Sequence, residues 1–67
     1  MAVKNNIKIF RKEMGLRQGD VAKVVDVSRQ TIIAIETERY NPSLELAMKL
    51  ARLFGKPIEE IFELSEG

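Results

Sequence analysis

The 67-residue chain contains no cysteine and no histidine. Without cysteine, neither a disulfide nor a thiolate metal site can staple so small a fold, and stability must come from packed secondary structure. The absence of histidine removes the one side chain that ordinarily exchanges protons near neutral pH. There is also no glycine-rich phosphate loop and no pair of carboxylates spaced over a recognisable pocket, so the catalytic checklist is nearly empty and no enzyme is expected. No apolar run approaches the roughly 18 residues of a membrane span, and the N-terminus lacks the apolar stretch of a secretory signal. These absences point to a soluble cytoplasmic protein, not bound to membrane, with no metal, cofactor or small-molecule ligand. At this length one core and one domain are expected over residues 1–67.

What is present is helical periodicity with clear punctuation. Val3, Ile7, Phe10 and Met14 recur at steps of four, three and four, which predicts a first helix over about Lys4 to Met14, closed at Gly15. A second helix follows Leu16, with Val21, Ala22 and Val25 inward and Asp20 in its first turn. Arg17 is a poor cap for it, and Gly19 is a weak helix former. After Asp26 and Val27, Ser28 caps a third helix, about Arg29 to Thr37. Pro42 makes residues 38–42 a loop. Ser43 then caps a fourth helix whose apolar stripe holds Leu44, Ala47, Met48, Leu50, Ala51, Leu53 and Phe54, up to Gly55. Beyond Pro57, the residues Ile58, Ile61 and Phe62 predict a short fifth helix, with Leu64 to Gly67 fraying. The expected fold class is all-α, five helices around a core spanning residues 7–62.

Two short helices joined by a tight polar turn, over residues 18–37, form a helix-turn-helix, whose second helix is shaped to enter the major groove of DNA. On the third helix Ile32, Ile35 and Glu36 share one side, while Gln30, Ile33, Ala34 and Thr37 share the other, with Arg29 reaching out from the first turn. Arginine pairs with guanine, glutamine with adenine, and isoleucine or alanine touches a thymine methyl, so Arg29, Gln30, Ile33 and Ala34 are candidate base readers. Composition alone does not separate this set from an ordinary helix surface, and Ile33 serves a protein partner as well as a thymine. Arg17 and Gln18 stand at a helix start, where amides and donors meet phosphate. Arg39, Tyr40 and Asn41 stand in the loop after the third helix, and these contacts would fix register without reading sequence. Ser28, Thr31 and Thr37 complete the candidate phosphate set. Net charge is only +1, but residues 1–42 carry eight bases against five acids and residues 43–67 three against five. The asymmetry lets one end approach phosphates, although ordinary solvated charge produces the same counts.

The string Leu16 to Glu36, LRQGDVAKVVDVSRQTIIAIE, followed by Tyr40-Asn41-Pro42-Ser43-Leu44, resembles the Cro/CI-type helix-turn-helix domain of XRE-family transcriptional regulators. The resemblance covers about Ile7 to Phe62. It implies a compact five-helix repressor-like domain that binds double-stranded operator DNA as a homodimer, on an inverted repeat, to repress or activate transcription. It also implies that Gln18 bonds a phosphate, that Arg29, Gln30 and Ala34 face bases with Ile33 beside them, and that Arg11 pairs with Glu36 to hold the third helix at its angle. Three positions depart from the family pattern. Asp26 stands where glycine is usual in the turn. Glu38 stands where glycine commonly follows the reading helix, so that loop either takes another conformation or carries about 1–2 kcal/mol of strain. Arg17-Gln18-Gly19 replaces Thr-Gln-Glu. The rival reading is a protein-interaction module, such as an antitoxin or coactivator-like partner with DNA binding secondary. The modest charge and the apolar tail of Ile58, Ile61, Phe62 and Leu64 favour it; Ile58, Ile61 and Phe62 are expected first to close the core below the fourth helix, and apolar surface left over, including Leu64, is available to pair across a two-fold axis.

Overall fold

A computed structural model describes residues 3–64. The elements in chain order are β1 (Val3–Asn5), α1 (Ile7–Glu13), α2 (Gln18–Val24), α3 (Arg29–Glu36), α4 (Leu44–Phe54), α5 (Ile58–Ile61) and β2 (Phe62–Leu64). The five expected helices are present. To this five-helix domain the structure adds two short terminal strands, which pair antiparallel with Val3 opposite Leu64, Lys4 opposite Glu63 and Asn5 opposite Phe62.

The first helix begins at Ile7 rather than Lys4, and the reason lies in Asn5 and Asn6. Asparagine competes for backbone groups and favours helix ends over interiors. The Asn6 amide donates to the Ile61 carbonyl at 2.8 Å, and its side chain donates to the Glu60 carbonyl at 2.9 Å, so both are committed to the end of α5. Val3 therefore lies in a strand and not on the apolar face of α1. Leu64, expected to fray, is paired in β2; Ser65 to Gly67 lie outside the described residues.

The core joins Ile7, Val21, Ala22, Val25, Ile32, Ile35, Leu46, Leu50, Phe54 and Ile61, contributed by all five helices. Val27, Phe10 and Phe62 pack against it, and the Phe10 and Phe54 rings lie 6.0 Å apart. Two members of the expected α4 stripe face outward: Leu44 and Met48 are 72% and 56% exposed. Helix α4 turns Leu46, Ala47, Leu50 and Phe54 inward instead. Met14 lies just past α1 and is also exposed.

Four helices end in the same way. In each, the residue after the last turn takes a left-handed conformation, and the amide of the following residue reaches back five positions: Leu16 to Arg11, Val27 to Ala22, Arg39 to Ala34, and Lys56 to Ala51, all between 2.9 and 3.1 Å. This closure satisfies carbonyls that the helix leaves unpaired. The left-handed residue is Gly15 after α1 and Gly55 after α4, but Asp26 (φ 61°) after α2 and Glu38 (φ 62°) after α3. Of the two outcomes expected at Glu38, the structure adopts the strained one. The helix starts divide similarly. Ser28 and Ser43 accept amide hydrogens from Thr31 and Leu46. Arg17 has no acceptor to offer, and Asp20 Oδ2 accepts the Arg17 amide hydrogen at 2.8 Å instead.

Candidate nucleic-acid interface

Helices α2 and α3 pack through Val21, Ala22, Val25, Ile32 and Ile35, all buried, with Ala22 the smallest side chain in the seam. This fixes which face of α3 remains outside. Arg29 and Gln30 are exposed, and Ile33 and Ala34 are half-buried. Among the described residues no ion pair engages Arg29.

The C-terminal end of α3 is held by side chains from distant parts of the chain. Arg11 Nε donates to Glu36 Oε2 at 2.9 Å and Nη2 to Glu36 Oε1 at 3.2 Å, while Nη1 donates to the Leu16 carbonyl at 3.2 Å. The two side chains are only 10% and 7% exposed. The guanidinium thus meets the carboxylate with two parallel hydrogen bonds and spends a third donor on the loop before α2. Gln18 Nε2 donates to the same Glu36 Oε1 at 3.2 Å. One amide hydrogen and the carbonyl oxygen of Gln18 remain for an outside partner.

A further anchor was not foreseen from the sequence. Asn5 Nδ2 donates to the Ile35 carbonyl at 2.7 Å, and Asn5 Oδ1 accepts the Ile7 amide hydrogen at 3.3 Å, so one side chain ties β1 to α1 and to the end of α3. The Asn-Asn pair, a poor helix interior, was the available signal.

Helix α3 lies between two concave regions. One is an open cleft of about 610 Å³ at the start of α2, lined by Arg17, Gln18, Gly19, Asp20 and Arg29 with Arg11 behind. A methyl group at Gly19 would sit 3.9 Å from Arg29 Cδ, so the arginine stem runs past the α2 backbone. The second, about 290 Å³, brings together Asp26, Thr31, Tyr40, Ser43, Glu45 and Lys49. It contains a cation, Lys49, that was not among the expected contacts, and two acids that oppose phosphate. Arg39 and Thr37 are exposed at the end of α3. The Thr37 hydroxyl donates to the Ile33 carbonyl at 2.8 Å, so its one hydrogen is already engaged. Ser28 Oγ and Thr31 Oγ1 lie 3.0 Å apart in a shared hydrogen bond.

A helix pair of this geometry, with its second helix bare on one face, is matched by the helix-turn-helix family model HTH_3 over residues 7–61. The chain belongs to the Cro/CI-type helix-turn-helix family. Its relatives include an uncharacterized HTH-type transcriptional regulator of Methanocaldococcus jannaschii, 55% identical over 60 residues that cover 90% of this chain and 91% of that one. The cryptic phage CTXphi transcriptional repressor RstR of Vibrio cholerae is 37% identical over 62 residues, covering 92% of this chain and 56% of RstR. Among solved structures, a putative DNA-binding protein from Bacteroides fragilis superposes with a TM-score of 0.80 at 23% identity, over 91% of this chain and 98% of that one, which establishes the shared fold. This Cro/CI-type chain is thus an HTH-type, DNA-binding transcriptional regulator and not an enzyme. Among the described residues no helix is long and apolar enough to cross a membrane.

Proposed function

We propose that this regulator is a repressor that binds an inverted-repeat operator as a homodimer, with α3 in the major groove. The observation that carries the reading is the contrast on α3 itself: Ile32 and Ile35 are fully buried and Glu36 is pinned, while Arg29 and Gln30 stand exposed. In this reading Arg29 and Gln30 meet base edges, with Ile33 and Ala34 against thymine methyls. Arg17 and Gln18 contact one phosphate run from the cleft at the start of α2. Thr31, Arg39 and Tyr40 contact the other, and Ser28 and Thr37 lie beside these runs. RstR, a named repressor similar to this chain, supports repression over activation.

The test is selection of bound duplexes from a randomised DNA library at near-physiological salt, which suppresses mere phosphate attraction. The expected result is an enriched inverted repeat with half-site centres about 34 Å apart, one turn of DNA. Enrichment of nothing, with binding that vanishes as salt rises, would overturn the reading in favour of a protein partner.

A further inference from the structure

In the apolar tail only Leu64 is exposed, since Ile61 is fully buried and Ile58 and Phe62 are half-buried. Of the exposed apolar side chains among the described residues, Ile9, Val24 and Leu64 stand on separate elements, whereas α4 carries two, Leu44 and Met48. Leu44 and Met48 stand one turn apart on the side facing away from Leu46, Leu50 and Phe54, and with Glu45, Lys49 and Arg52 they line a shallow hollow. Helix α4 spans eleven residues, so its outer face is three turns long. Met48 stands near its middle, an acid near its start and a base near its end.

We propose that this face of α4 docks against the same face of a second copy of the chain, the two α4 helices running antiparallel across a two-fold axis beside Met48. The proposal rests on the dimeric DNA-binding reading above and supplies its interface. A two-fold axis perpendicular to the helices reverses height along α4 and keeps the lateral side unchanged. With a rise of about 1.5 Å per residue, Glu45 lies about 4.5 Å below Met48 and Arg52 about 6 Å above it. At about 100° per residue, Glu45 and Arg52 project within about 20° of each other. The operation therefore sets each Glu45 against Arg52 of the second copy, twice, with the two Met48 side chains adjacent at the centre and Leu44 flanking them. A parallel pairing would instead set Glu45 against Glu45 and Arg52 against Arg52. The placement of Glu45 and Arg52 is thus self-complementary in charge, as an isologous contact requires.

Glu45 already pairs with Lys49 at 3.0 Å, but both are well exposed, and such a surface pair contributes too little to hold Glu45 back. Glu45 and Lys49 also border the hollow that holds Thr31 and Tyr40, so the docking face adjoins the loop that follows α3. One helix face per copy is small against a standard interface, so association is weak in solution and is completed when two half-sites hold both copies.

The charge pattern provides its own test. Copies carrying E45R present only positive charge on this face, whereas copies carrying R52E set two acids there against the single base Lys49. Sedimentation equilibrium without DNA should show the unaltered chain dimerising at high concentration and each variant at least about tenfold weaker. An equimolar mixture of the two variants should form a one-to-one dimer, and the E45R/R52E chain should regain self-association. On a duplex with two half-sites the same order should appear as cooperativity gained, lost and restored. Two misfolded variants could not rescue one another, so restoration excludes a folding defect. Variants that associate as well as the unaltered chain, a mixture that fails to restore, or an unaltered chain that stays monomeric and binds two half-sites independently would overturn the proposal, the last leaving the face to a different protein. Loss of the DNA-binding reading looks different: no half-site is enriched, while self-association through α4 is intact.

Discussion

The two ends of α3 are built on different principles. Its C-terminal end is held by Arg11, Gln18 and Asn5, whose partners lie 25, 18 and 30 positions away in the chain. Among the described residues, the only side chain that hydrogen-bonds to the backbone at its N-terminal end is Ser28, the residue immediately before it. The end that sets the angle of the helix is thus tied to the body of the protein, and the end that carries Arg29 and Gln30 is left chemically free. A reading helix needs both properties. Base-edge hydrogen bonds demand fixed placement, and groups already partnered internally have nothing left to offer a base.

The comparison breaks most severely at Arg11. Arg11→Ala leaves the Glu36 carboxylate buried without its cation and is expected to cost about 3–5 kcal/mol, measured by urea denaturation. That is a large share of the roughly 5 kcal/mol at the lower end for small domains, so the urea midpoint should fall steeply. A loss under about 1 kcal/mol would show that the C-terminal anchor is not what holds the helix. Arg29→Ala acts at the other end. Its stability should stay within about 0.5 kcal/mol, whereas operator binding should weaken by about 1–3 kcal/mol with specificity relaxed at one base pair. Equal losses on operator and random DNA would instead make Arg29 a phosphate contact, which its position beside Arg17 and Gly19 also allows.

Much of this division was legible in the residues. Ile32, Ile35 and Glu36 fall on one face by spacing alone, and Ser28 and Ser43 announce the starts of their helices. The pairing of Arg11 with Glu36 was implied only by family resemblance, since nothing in the local sequence links positions 25 apart. The terminal strands were not legible. Val3, at helical spacing from Ile7, fits a helix face equally well, and only the distant Ile61 and Glu60 carbonyls decide that Asn6 separates the strand from the helix. The α4 stripe misled for a related reason. Seven apolar residues cover more of a helix than one small core can bury, and spacing does not say that Leu44 and Met48 are the ones left out. In the site, the Gln18 bond to Glu36 and the entry of Lys49 beside Tyr40 depend on packing between helices that no local pattern encodes.

Smaller effects sharpen the comparison at the turns that flank α3. Glu38→Gly removes a side chain from a left-handed position and should raise stability by about 1–2 kcal/mol in thermal or urea unfolding. No gain would mean that the glutamate side chain offsets its strain through some compensating interaction. Ser28→Ala removes the sole cap of the free end and should cost about 1 kcal/mol. Its effect on DNA affinity, compared with its effect on stability, reports how far the reading end depends on that one bond. At the far side of the helix, Arg39→Ala should weaken binding to all sequences alike and lower the salt slope by about one, without changing which sequence is preferred.

The pairing of Val3 with Leu64 has a mechanical consequence. The described chain enters and leaves the fold side by side, at the open end of an antiparallel pair. A pull that separates these two points therefore loads the strand pairs in series, as in a zipper, rather than all together. Val3 parts from Leu64 first, then Lys4 from Glu63, and Asn5 from Phe62 last. Asn5 is the residue bonded to the Ile35 carbonyl, so α3 keeps that tether until the last rung of the sheet has opened.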